Sequence, residues 1–186
     1  SKNIAIKTKN EHCATLALQN IGITFRHRNY SDSALFYLHE ARKNVTDTVD
    51  VVWVQNNNHI ADIYIKLGNY TNAKILLFNN LKILDQEKSM NLGDYKTEGN
   101  RYNVIWNETM AITHKNLCCY YYYIGFYDSS FLHLNTAISW AQKVGALQLM
   151  TELLVVKVTY FNRNLSMNEL IQQTDSAFSY VLKIND

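Results

Sequence analysis

Asn20-Ile21-Gly22-Ile23-Thr24-Phe25, then Asn29-Tyr30, then Ala34-Leu35-Phe36-Tyr37-Leu38-His39-Glu40-Ala41 is the stretch that decides the fold. Its order returns twice. Ile60-Ala61-Asp62-Ile63-Tyr64 leads to Gly68-Asn69-Tyr70, Ala73 and Leu77. Leu117-Cys118-Cys119-Tyr120-Tyr121 leads to Gly125-Phe126-Tyr127, Ser130, Leu134 and Ala137. Counted from the small residue Gly22, Ala61 or Cys118, an aromatic stands at +3 (Phe25, Tyr64, Tyr121) and a tyrosine at +8 or +9 (Tyr30, Tyr70, Tyr127). A second small residue stands at +12 (Ala34, Ala73, Ser130), and a leucine at +16 (Leu38, Leu77, Leu134).

Helix packing explains these offsets. Two antiparallel helices approach closely only where a side chain is small, and the bulky neighbour fills the space beyond. Gly and Asn between the segments tolerate the left-handed conformation that ends a helix. Ser31, Thr71 and Asp128 then stand where the second helix of each pair would be capped. A weaker fourth unit runs through Tyr160, Asn164 and Ser166, where Ser166-Met167-Asn168-Glu169 has the form of a capping box. The pattern predicts helices near 3–27, 31–45, 50–67, 71–90, 100–124, 128–144, 146–163 and 167–183, with Gly93 and Gly99 marking a break.

The recurrence resembles the tetratricopeptide repeat family over residues 12–178. The resemblance implies an all-α, tetratricopeptide-like α-solenoid of about four helical hairpins, with residues 1–186 as one domain. Two departures stand out. The family spacing is about 34 residues, whereas Ala34 to Ala73 is 39 residues and Ala73 to Ser130 is 57. No proline closes any repeat, because the chain contains none.

Composition narrows the function classes. Apolar residues make up 47% of the chain, close to the globular norm, which argues against disorder. The formal net charge is only +2 and the charges are mixed, so no dense basic face offers itself to nucleic acid. No apolar run is long enough to cross a bilayer. Three cysteines, Cys13, Cys118 and Cys119, make no disulfide framework, which fits a reducing cytoplasm.

No catalytic constellation stands out, and neither does a phosphate-binding loop or metal-ligand spacing. The chain therefore reads as a non-enzyme that needs no cofactor. His12, His27, His39, His59, His114 and His133 are scattered along it and read as structural or surface residues. Cys118 and Cys119 read as packing residues.

Function is expected on the first helix of each pair, on the face turned from its partner helix. Projection from the small positions places Gln19, Ile23, Arg26 and His27 there in the first repeat. The second contributes Asn58, His59, Asp62, Ile65 and Lys66. The third contributes Lys115, Asn116, Cys119, Tyr122 and Tyr123. An Asn amide can pair with a backbone N–H and C=O together, and Arg or Lys can hold a carboxylate. By resemblance to the family, Asn58, Asn116 and Lys115 would grip an extended peptide. The predicted peptide-binding set is Gln19, Arg26, His27, Asn58, His59, Asp62, Lys66, Lys115, Asn116, Tyr122 and Tyr123.

In overall character the chain resembles the C-terminal sensor region of bacterial peptide-pheromone regulators of the Rgg and PlcR type. That resemblance implies a cytoplasmic, dimeric transcriptional regulator. Its partner would be a short signalling peptide or protein segment, and a helix-turn-helix domain would precede Ser1. A general adaptor that takes acidic C-terminal tails at Lys66 and Lys115 is a second expectation. A Rap-like phosphatase regulator is a third, although the acid-bearing N-terminal bundle of that group is not seen in the sequence.

Overall fold

The structure is a computed structural model. It describes residues 2–45, 51–90 and 99–162, together with 166, 168, 169, 171, 172, 175, 176, 179 and 180. Every regular element among the described residues is a helix, as the offsets predict. The chain divides into two compact units, Ser1–Ser89 and Met90–Asp186. The first holds α1 (Lys2–His27), α2 (Ser31–Lys43), α3 (Val51–Lys66) and α4 (Tyr70–Met90). The second holds α5 (Gly99–Tyr123), α6 (Tyr127–Val144) and α7 (Leu147–Phe161).

One backbone device makes four turns among the described residues. Asn29, Gly68, Gly125 and Gly145 adopt φ of 61°, 74°, 84° and 64°. Each amide bonds back three residues, and the next amide reaches back five. Those longer bonds run from Tyr30 to Phe25 O (3.0 Å), Asn69 to Tyr64 O (2.8 Å), Phe126 to Tyr121 O (2.9 Å) and Ala146 to Ala141 O (3.2 Å). This is the Schellman pairing, which satisfies carbonyls that a helix end leaves open. The residue at +3 is the one whose carbonyl accepts the longer bond. Phe25 lies edge-on to Tyr30 at 6.3 Å, and Tyr121 to Phe126 at 6.4 Å, the apolar contact that accompanies such turns.

The residue that closes one helix opens the next. Tyr30, Phe126 and Ala146 are the N-caps of α2, α6 and α7, and none of their side chains caps. The expected caps Ser31, Thr71 and Asp128 therefore lie one or two positions inside their helices. At α4 the cap is Asn69, whose Oδ1 accepts the amide of Asn72 at 3.3 Å. The predicted capping box does form. Ser166 N and Oγ both donate to Glu169 Oε2, at 2.8 and 2.7 Å, and Glu169 N donates back to Ser166 Oγ at 3.3 Å. Most of the predicted break after α4, residues 91–98, and Asn164 of the fourth repeat lie outside the described residues.

The small residues meet as the spacing requires. A Cβ on Gly22 would stand 2.7 Å from Leu38 Cγ and 3.2 Å from Ala34 O. Ser130 Oγ donates to Cys118 O at 2.7 Å, and the Cys118 thiol lies 3.4 Å from the same hydroxyl. Ala34, Leu38, Ala61, Ala73, Leu77, Cys118, Ser130 and Leu134 are all fully buried. In the first unit Ala34, Leu38, Ile60 and Ile63 form a core cluster joining α2 to α3. In the second, Ala111 and Cys118 of α5 pack with Leu134, Ala137 and Ala141 of α6 and with Leu149, Met150, Leu153 and Phe161 of α7.

A polar seam runs through the first unit. Asn56 Nδ2 donates to Leu38 O at 2.7 Å, tying α3 to α2. Asn57 Nδ2 donates to Asn80 Oδ1 at 3.0 Å. Asn80 Nδ2 in turn donates to Asn58 Oδ1 at 3.0 Å and to Val54 O at 3.2 Å, tying α4 to α3. All four amides are buried.

Candidate functional site

The face built by α1 and α3 carries a charge cluster. Arg26 lies in the last turn of α1, and Asp62 and Lys66 lie one turn apart on α3. Arg26 Nη1 donates to Asp62 Oδ2 at 2.9 Å, and Lys66 Nζ approaches the same oxygen at 3.1 Å. Arg26 Nη2 stands 3.3 Å from His27 Nε2. Arginine only donates, so the contact is a hydrogen bond when this ring nitrogen offers its lone pair. Two cations share one carboxylate, which leaves the cluster net positive. Both cations occupy helix C-termini, where the helix dipole favours them. The Lys66 side chain stays 56% exposed, so its ammonium remains open to a second anion.

The face built by α5 and α7 is aromatic. Tyr122 stacks on Tyr160 with centroids 3.9 Å apart and planes at 11°. Tyr123 sets its ring against Tyr160 at 6.1 Å and 75°. Tyr160 OH donates to Cys119 Sγ at 3.8 Å. Burial, followed by the Cys119 thiol beside it, drives the Tyr160 phenol far above its ordinary pKa, so it stays a neutral donor. Two turns nearer the start of α5, Lys115 Nζ pairs with Glu152 of α7 at 2.7 Å. Beyond the rings, the α5–α6 tip exposes Phe126, Tyr127 and Leu132.

The predicted residues fall into two sets. Arg26, His27, Asp62 and Lys66 come together in the first unit, and Lys115, Tyr122 and Tyr123 line the α5–α7 face in the second. His59 is half-buried on α3. Gln19, Asn58 and Asn116 are buried, and Asn58 turns its amide to Asn80 of α4 rather than to the surface. The reason lies in helix periodicity. Gln19 and Asn58 stand three residues before Gly22 and Ala61, on the face that meets the partner helix. Asp62, Lys66 and Tyr123 stand farther round the helix, at +1 and +5, while Arg26 and Tyr122 stand at +4, beside the small position.

One pair escapes sequence reasoning. His114 Nδ1 of α5 and His133 Nδ1 of α6 are 2.8 Å apart, with Tyr121 stacked on His133 at 5.3 Å and 8°. Its signal is symmetry about the turn at Gly125. Cys118 faces Ser130, so the residues one turn farther from the tip must also face each other. Burial, reinforced by His133, pushes the His114 imidazole down to about 4. Burial lowers His133 as well.

Among the described residues, no three His, Cys, Asp or Glu side chains are grouped to hold a metal ion. No helix among them is long and apolar enough to cross a membrane. No protein-family model matches the chain, and no curated protein or solved structure matches it either.

Proposed function

We propose that the chain is a peptide-binding regulatory domain of stacked helical hairpins, the sensor part of a cytoplasmic helix-turn-helix transcriptional regulator that works as a dimer. What supports this reading most is that the side chains at +4, Arg26 and Tyr122, bridge alternate helices in both units. Arg26 joins α1 to Asp62 on α3, and Tyr122 joins α5 to Tyr160 on α7. A peptide lying across such a face touches both helices at once. It can replace the Lys66 contact with its own carboxylate and insert a side chain beside the exposed Tyr123 ring. By binding one helix spacing better than another, it shifts the population of hairpin arrangements, which is how a ligand is read out.

The test is selection of short peptides from a randomised library on the intact chain, followed by titration against two variants. Lys66→Ala and Tyr123→Ala change exposed side chains and leave the core alone. Each is expected to weaken a selected peptide by about tenfold, the equivalent of one lost contact. Selection of no peptide, or equal affinity for wild type and both variants, would refute the reading.

The exposed rings at the α5–α6 tip favour a second reading, an adaptor that docks a folded protein there. It predicts that Phe126→Ser abolishes capture of that partner while peptide binding persists.

A further inference from the structure

We infer that His114 and His133 form a proton-sensitive clasp that holds α5 against α6 and releases the hairpin in acid. Facing Nδ1 atoms at 2.8 Å bind only if one carries a proton and the other offers a lone pair. The two neutral rings must therefore be different tautomers. One added proton is tolerated, because an imidazolium Nδ1–H can still donate to its neutral neighbour. A second proton sets two N–H groups and two positive charges against each other, and the bond cannot survive.

Among the described residues, no carboxylate acts to raise either imidazole. The charged side chains described on the three packed helices are Glu108 and Lys115 on α5, Asp128 and Lys143 on α6, and Glu152 and Lys157 on α7. Glu152 is paired with Lys115. None of the six contributes to the depression of His114, which comes from burial and from His133, and burial alone lowers His133. Of the nearby uncharged groups, Tyr121 covers one face of the His133 ring. Cys118, one turn along α5, is a buried thiol.

The sign follows from linkage. Both folded-state values lie below the ordinary histidine value, so the unfolded hairpin binds protons more readily. The clasp is intact above about pH 6.5 and is lost as pH falls toward about 4. Over that window the unfolded-to-folded ratio rises by up to about tenfold per pH unit for each histidine. The clasp lies on the helix that bears Lys115 and Tyr122, yet it operates whether or not a peptide binds.

The experiment is an NMR pH titration of the intact chain with nitrogen-labelled imidazoles, alongside amide exchange along α5 and α6. Expected are one protonated and one bare Nδ1 at neutral pH, two imidazoles that resist protonation well below the free value, and loss of α5–α6 protection as the second one titrates. The double variant His114→Phe/His133→Phe should lose most of this pH dependence. Ordinary histidine titration at both rings, or protection that stays flat through their titration, overturns the inference. The wild-type titration decides the matter even if the double variant fails to fold.

Discussion

Gly22 marks a close approach of α1 to α2. A methyl there would press on Leu38 Cγ at 2.7 Å, and Leu38 is fully buried with nowhere to move. Overpacking costs about 1–3 kcal/mol, against roughly 1 kcal/mol that alanine gains in a helix interior. Gly22→Ala should therefore lower stability by up to about 2 kcal/mol in urea denaturation. Gly68 presents the opposite case. It has open space around its Cα but φ of 74°, so Gly68→Ala pays for the left-handed backbone alone, about 1–2 kcal/mol. Asn29 occupies the equivalent turn position at φ 61°. Asn29→Gly should be neutral or stabilising by up to about 1 kcal/mol. A destabilising Asn29→Gly would show that its side chain matters more than its backbone.

At the scale of elements, hairpin positions were legible because small residues and turn formers recur at fixed offsets. Polarity misled where it met geometry. Asn58 carries an amide suited to a peptide, but its place three residues before Ala61 commits it to the α3–α4 interface. Three of the buried amides, Asn57, Asn58 and Asn80, fix the sliding register of α4 on α3, because a shift of α4 would break the bonds between them. Asn80→Ala removes bonds to Val54, Asn57 and Asn58 together. Losing three buried hydrogen bonds at once should cost about 3 kcal/mol or more. Amide exchange should report the loss across α3 and α4. Unchanged protection there would show that the seam contributes little. The pairing of His114 with His133 could not be found by scanning one helix for i, i+4 spacing, since it spans two helices. Reflection about the turn at Gly125 would have found it.

At the scale of the molecule, the three cysteines sample three environments. Cys13 is exposed, Cys119 is half-buried beside Tyr160, and Cys118 is buried, where burial pushes its thiol up to about 12. The thiolate is the reactive form, so a thiol reagent at neutral pH should label Cys13 first. Labelling of Cys118 should wait for unfolding of the second unit and accelerate with denaturant. Equal rates at all three would contradict the packing of α5 against α6. The short turns, of two or three residues, carry a consequence for how the chain is made. Each places the second helix of a pair against the first with almost no intervening loop, so the earliest contacts are local. Small loops close in well under a microsecond, whereas a ribosome adds only about 5–20 residues per second. Every hairpin can thus be finished before the next one has emerged, and the growing chain adds pre-formed pairs in order of synthesis.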